Sequence, residues 1–120
     1  MTSAEDLTQR TFKFACAAYD FCDQLTQLPG LARRVGYQLF DAAGSVGANR
    51  EEAKAAYSRR DFAAKNAICL KECREASFWL RLAESKSLGD SAARRRLLDE
   101  SNQLIAILTA SVKALQQHDT

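Results

Sequence analysis

Apolar positions recur at intervals of three and four along four stretches of the chain, and each stretch ends at a helix-stopping or capping signal. In the first, Leu7, Thr11, Phe14, Ala18, Cys22, Leu25 and Leu28 share one face. That spacing marks a helix with a single buried side. Pro29-Gly30 stops it, because proline has no N–H to give. The second stripe is Val35, Leu39, Ala42, Val46, Asn49, Ala53 and Ala56. The third opens at Ser58, a good N-cap with Asp61 three residues on, and continues through Phe62, Asn66, Cys69, Cys73, Ala76, Leu80 and Ala83. Beside it runs a second stripe of Ile68, Trp79 and Leu82, interrupted by Glu72 and Glu75. Leu88-Gly89 closes that helix, and Asp90 or Ser91 starts the last, with Leu97, Ser101, Leu104, Leu108, Val112 and Leu115 inward. The pattern predicts helices over about 4–28, 31–57, 59–86 and 90–117.

Helices of ~25 residues are ~38 Å long at 1.5 Å per residue, so the four are matched in length. Their connections are short, which makes sequence neighbours antiparallel. The expectation is an all-α chain whose residues 1–120 form one up-down-up-down antiparallel four-helix bundle. A length of 120 residues buries a core without staples. One proline and five glycines leave few breakers.

Composition narrows the setting. No stretch approaches the ~20 apolar residues of a membrane span, so no membrane partner is expected. The first ten residues are polar and acidic, unlike a signal peptide, which makes the cytoplasm the default location. Cys16, Cys22, Cys69 and Cys73 then read as reduced, buried, small apolar groups. A net charge of +2 is too small for bulk attraction to nucleic acid.

Candidate chemistry is sparse. A di-iron bundle site needs paired Glu-x-x-His motifs, and the single histidine, His118, lies at the chain end. A zinc site needs four ligands, and the two cysteine pairs do not converge. Without histidine in the body of the chain, no serine or cysteine has a base beside it. Gly44-Ser45-Val46-Gly47 lies within a helical pattern, not after a strand, so it is no phosphate loop. No catalytic, cofactor-binding or metal-ligating residue is expected, and the chain reads as a non-enzyme.

Two features of the second helix need explaining. Gly36, Gly44 and Gly47 each cost ~1 kcal/mol relative to alanine, which close packing of the second helix against the third would offset. Asn49 falls on the apolar stripe, and buried polar groups need partners. We therefore expect a polar layer in which Ser45, Asn49 or Glu52 meets Glu72 or Glu75, structural in role. A small-ligand pocket at that layer is the alternative. Basic residues gather at two places: Arg50, Lys54, Arg59, Arg60 and Lys65 around the second turn, and Arg94, Arg95 and Arg96 at the start of the last helix. Antiparallel topology puts these at opposite ends. Cations at a helix N-terminus oppose the dipole, so Arg94–Arg96 calls for another use. These eight are the candidate nucleic-acid contacts, with a solvated charged face as the plainer reading.

The block Gly44-Ser45-Val46-Gly47-Ala48-Asn49, then Glu52-Ala53 and Ser58-Arg59-Arg60-Asp61-Phe62, resembles the bacterial four-helix-bundle family named for proteins encoded in 23S rRNA intervening sequences. Ile68–Glu75 and Phe78–Leu82 resemble that family's third helix. The chain keeps Ser45, Val46, Ala48, Asn49, Glu52 and Ala53 of the family pattern and departs from it at Arg50-Glu51. The resemblance implies a ring-like homo-oligomer, a pentamer, with no enzymatic activity. The family name implies a link to RNA. The functional expectation is a non-enzymatic homo-oligomer that binds structured RNA or DNA through basic surface residues; the alternative is a protein-interaction scaffold.

Overall fold

A computed structural model describes the backbone of residues 4–118 and the side chains of residues 7–117. Four helices follow one another: α1 (Ala4–Thr26), α2 (Leu31–Lys54), α3 (Arg59–Ser85) and α4 (Ser91–His118). Each packs on the next, and α4 returns to α1 along a shorter seam, which makes an antiparallel bundle 48 Å long and about 22 Å across. A fork from Arg10 ties that seam: Nη2 and Nε meet the two Glu100 carboxylate oxygens at 2.6 and 3.1 Å.

The helix starts follow the capping chemistry. Ser58 is extended, and its Oγ accepts from the Asp61 N–H at 3.0 Å. Asp90, not Ser91, caps α4, its Oδ2 accepting from the Ala93 N–H at 2.8 Å. The ends are tighter than the periodicity predicts. α1 stops at Thr26 because Gln27 and Leu28 turn back to Gln24 and Leu25 in i→i−3 bonds, and a residue before proline is pushed from helical geometry. α2 stops at Lys54, three residues short of Tyr57. The extended Ser58 cap needs a non-helical lead-in, and Ala56 closes the turn on Ala53.

The core runs the length of the bundle and is built largely from the predicted stripes: Phe14 and Leu25 from α1, Leu39 and Val46 from α2, Cys69, Cys73 and Leu80 from α3, and Leu97, Leu104 and Leu108 from α4; Phe21, outside the predicted α1 stripe, joins them. Two expectations for α2 are corrected. Its glycines close on α1, not α3. A Cβ at Gly36 would lie 2.9 Å from Leu25 Cβ, and one at Gly47 would lie 3.3 Å from the Thr11 carbonyl. A Cβ at Gly44 would meet only the Phe40 ring, at 3.9 Å. The buried polar position is Arg50, not Asn49. Asn49 is half-buried, and its Nδ2 only donates to the Ser45 carbonyl of its own helix at 2.9 Å.

Candidate functional site

The expected layer of Ser45, Asn49 and Glu52 with Glu72 and Glu75 does not form. Glu52 and Glu75 are exposed. Glu75 accepts from the Trp79 indole at 3.3 Å. The layer that does form is centred on Arg50, which is 2% exposed. Its Nη1 donates to Asn66 Oδ1 at 2.6 Å, and its Nε donates to Thr8 Oγ1 at 3.3 Å. The guanidinium lies over the Phe62 ring, 5.5 Å from the centroid, a favourable cation–π contact. Asn66 is fully buried, and its Nδ2 has no partner among the described residues. Burial pulls the Arg50 pKa down from its ordinary value, yet an arginine stays cationic in a protein. Arg50 is therefore a structural ion inside the bundle and not a nucleic-acid contact. The periodicity does place it inward, four residues after Val46 and three before Ala53. An arginine there reads as solvent-facing because its long stem can carry the charge outward.

Arg94 is the second correction. It is 4% exposed and belongs to the α3–α4 turn. Its Nε meets Glu84 Oε1 at 2.5 Å, and its Nη1 donates to the Leu88 and Gly89 carbonyls at 2.6 and 3.2 Å. Arg95 reaches the other Glu84 oxygen at 3.2 Å. Hydrogen bonds from Arg94 and then Arg95 hold the Glu84 carboxyl below its ordinary pKa. The basic run that opposes the α4 dipole is thus partly used to clamp the preceding turn.

The remaining candidates divide between the two ends. Lys54, Arg59 and Arg60 are exposed and Lys65 is half-buried at the α2–α3 turn. Arg95 and Arg96 are exposed at the opposite end. Among the described residues, no group of three or more His, Cys, Asp or Glu side chains is arranged to hold a metal ion. Cys22, Cys69 and Cys73 are buried thiols pushed up to about 12, 11 and 12 by desolvation. Cys69 donates to the Val46 carbonyl at 3.2 Å and Cys73 to the Ser101 carbonyl at 3.6 Å. Cys16 is exposed, contrary to expectation.

The surface carries two apolar features, an aromatic ridge and a groove. On the α1–α2 flank stand Phe12, Tyr19, Tyr37 and Phe40, of which Phe12 is 60% exposed and Tyr19 58%. Tyr19 and Phe40 meet edge to face at 5.8 Å. On the α2–α3 flank lies a groove of about 560 Å³, walled by Leu31, Val35, Trp79, Leu82 and Leu88 and edged by Arg34 and Lys86. Trp79 and Leu82 belong to the second stripe of α3. The ridge aromatics follow no core spacing, and their only signal in the sequence is that they are large apolar residues off the stripe.

The family model for 23S rRNA-intervening sequence proteins matches residues 5–110. The chain belongs to that family. A crystal structure of a protein of unknown function from the S23 ribosomal protein family of Bacteroides thetaiotaomicron is similar to this family member. It has a TM-score of 0.80 and 26% identity, and the match covers 89% of this chain and 98% of that one. No curated protein matches the chain. No helix among the described residues of this family member is long and apolar enough to cross a membrane.

Proposed function

We propose that this family member is a non-enzymatic homo-oligomer whose repeated α2–α3 turns bind structured RNA. The observation that carries the reading is the pair of exposed apolar features on separate flanks of an otherwise charged bundle. Apolar patches rimmed by polar residues mark interaction sites, and two of them on one small chain suit self-assembly. Lys54, Arg59, Arg60 and Lys65 provide a local basic cluster at one end. A single cluster this small binds phosphate weakly, but repetition around an oligomer converts weak contacts into avidity. The family's name supplies the link to RNA. Such a protein works in the cytoplasm, where its free thiols stay reduced.

The test has two parts. Light scattering on the purified protein yields a mass several times the 13.3 kDa of one chain. Filter binding to a structured RNA is tight at 50 mM salt and weaker by at least ~100-fold at 200 mM, because bound phosphates release counterions. Replacing Lys54, Arg60 and Lys65 with Glu abolishes binding while the mass stays unchanged. If the oligomer binds no RNA even at low salt, the nucleic-acid reading fails and a protein-interaction platform takes its place.

A further inference from the structure

We infer that Tyr57, in the α2–α3 turn, stacks on an unpaired base, so that the turn takes the loops and bulges of a folded RNA and not its paired stems. The inference rests on the RNA reading proposed above and names the part of the RNA that the turn holds.

The fold makes no use of the Tyr57 ring. Ser58 is the N-cap of α3, so Tyr57 stands just before the cap and Phe62 is the fourth helical residue. Apolar residues at those two places ordinarily pack together and fix the angle at which the chain enters the helix. Here the two rings part. Phe62 lies beneath the Arg50 guanidinium. Tyr57 is 103% exposed, above Leu31 at 76% and every other exposed large apolar side chain of the described residues. A ring left wholly in water forgoes its burial energy, and a ligand that covers it recovers that energy.

The turn around Tyr57 is already ordered. On one side, the Ala55 and Ala56 N–H groups donate to the Glu51 and Ala53 carbonyls at 3.3 and 3.1 Å. On the other, Ser58 Oγ accepts from the Asp61 N–H at 3.0 Å, and the Ser58 carbonyl accepts from the Phe62 N–H at 2.9 Å. The ring therefore stands on a fixed base, and binding has little backbone left to order.

Charge decides between a paired and an unpaired target. Lys54 lies three residues before Tyr57, and Arg59 and Arg60 follow it by two and three. These three and Lys65 share the end of the bundle with Glu51, Glu52 and Asp61. Four cations among three carboxylates hold a phosphate backbone weakly. A paired stem offers the turn little else, because its bases are stacked inside and its major groove is too deep and narrow for side chains to read. An unpaired base adds a face for the ring, and an aromatic–base stack is worth roughly 5- to 100-fold in affinity. Every base has such a face, so the turn selects for unpaired nucleotides and not for a sequence.

Two RNAs with equal numbers of phosphates test this at low salt: a hairpin with an unpaired loop, and a blunt, fully paired duplex. The wild type binds the hairpin at least ~5-fold more tightly. Tyr57→Ala lowers hairpin affinity to that of the duplex and leaves duplex affinity unchanged, whereas Tyr57→Phe keeps the preference. Both variants alter an exposed side chain, so helical circular dichroism is unchanged. The salt dependence of Tyr57→Ala matches that of the wild type, because no phosphate contact is lost, while Arg60→Gln makes it shallower. Equal affinity of the wild type for the two RNAs overturns the inference. So does a Tyr57→Ala protein that keeps the preference, or one that loses both RNAs alike. A wild type that binds neither RNA at low salt overturns the RNA reading as a whole. A wild type that binds both, with Tyr57→Ala making no difference, overturns only the stacking.

Discussion

Arg50 holds its charge inside the bundle through Asn66 and Thr8, with the Phe62 ring beneath it. Truncating one partner of such a contact leaves the other buried without a bond. Arg50→Ala is therefore expected to cost ~3 kcal/mol, read as a lower urea midpoint. A loss below ~0.5 kcal/mol would show that the contact contributes nothing net. The glycines of α2 separate into two kinds on the same test. Gly36→Ala forces a Cβ to 2.9 Å from Leu25 Cβ and destabilises by about 1–3 kcal/mol, as overpacking does. Gly44→Ala meets only Phe40 at 3.9 Å and stabilises by up to ~1 kcal/mol through helix propensity. The thiols give a third residue-scale prediction. Cys22, Cys69 and Cys73 are buried and held at about 12, 11 and 12, so all three stay unreacted with a thiol reagent at pH 8. Full denaturation releases all four cysteines.

At the scale of elements, the α3–α4 turn depends on one carboxylate. Glu84 accepts from Arg94 and Arg95 while Arg94 also holds the Leu88 and Gly89 carbonyls. The turn is tight: Gly89 has φ of +68°, and a Cβ there would press on the Phe21 ring at 2.8 Å. The Glu84 pKa is lower folded than unfolded. Its stabilising contribution is complete above the unfolded carboxylate value of about 4.3 and disappears as pH falls through the depressed folded value. Urea midpoints measured from pH 6 down to pH 2 should fall more steeply for the wild type than for Glu84→Gln. Parallel curves would mean that Glu84 gains nothing from its arginines.

For the whole molecule, assembly couples stability to concentration. If the folded oligomer is favoured over folded monomer, mass action raises Tm as protein concentration rises. A hundredfold concentration series followed by circular dichroism should show an upward trend in Tm. A flat wild-type series at concentrations where light scattering finds the oligomer would contradict this. The two basic ends also become distinguishable only in an assembly. Were the proposed oligomer a ring of cyclic symmetry, every α2–α3 turn, with its Lys54, Arg59 and Arg60, would face the same way, and every Arg96 the other. Nucleic acid bound through the turns would then occupy one side of that assembly.

Periodicity and the capping residue at Ser58 by themselves determined four helices, their antiparallel order and most of the core, because burying one face of a helix requires a 3.6-residue repeat in the chain; the choice of Asp90 over Ser91 as the cap of α4 came from the structure. The order of residue types also located the two basic groups and, through the blocks within Gly44–Phe62 and Ile68–Leu82 taken together, the family. What it left undecided depends on neighbours far away in sequence. Asn49 and Arg50 are adjacent, and either could point inward. Contacts with Thr8, Phe62 and Asn66 settled it for Arg50, because only Arg50 finds partners for a buried polar group there. Arg94 looked like a surface cation until Glu84 and the Leu88 carbonyl met it across a turn. Which helix the glycines approach was likewise a matter of packing, since a glycine in one helix carries no mark of the backbone that will lie against it. The ridge and the groove exist only where two helices lie side by side, so tertiary structure alone could bring Tyr19 to Phe40 and Leu31 to Trp79.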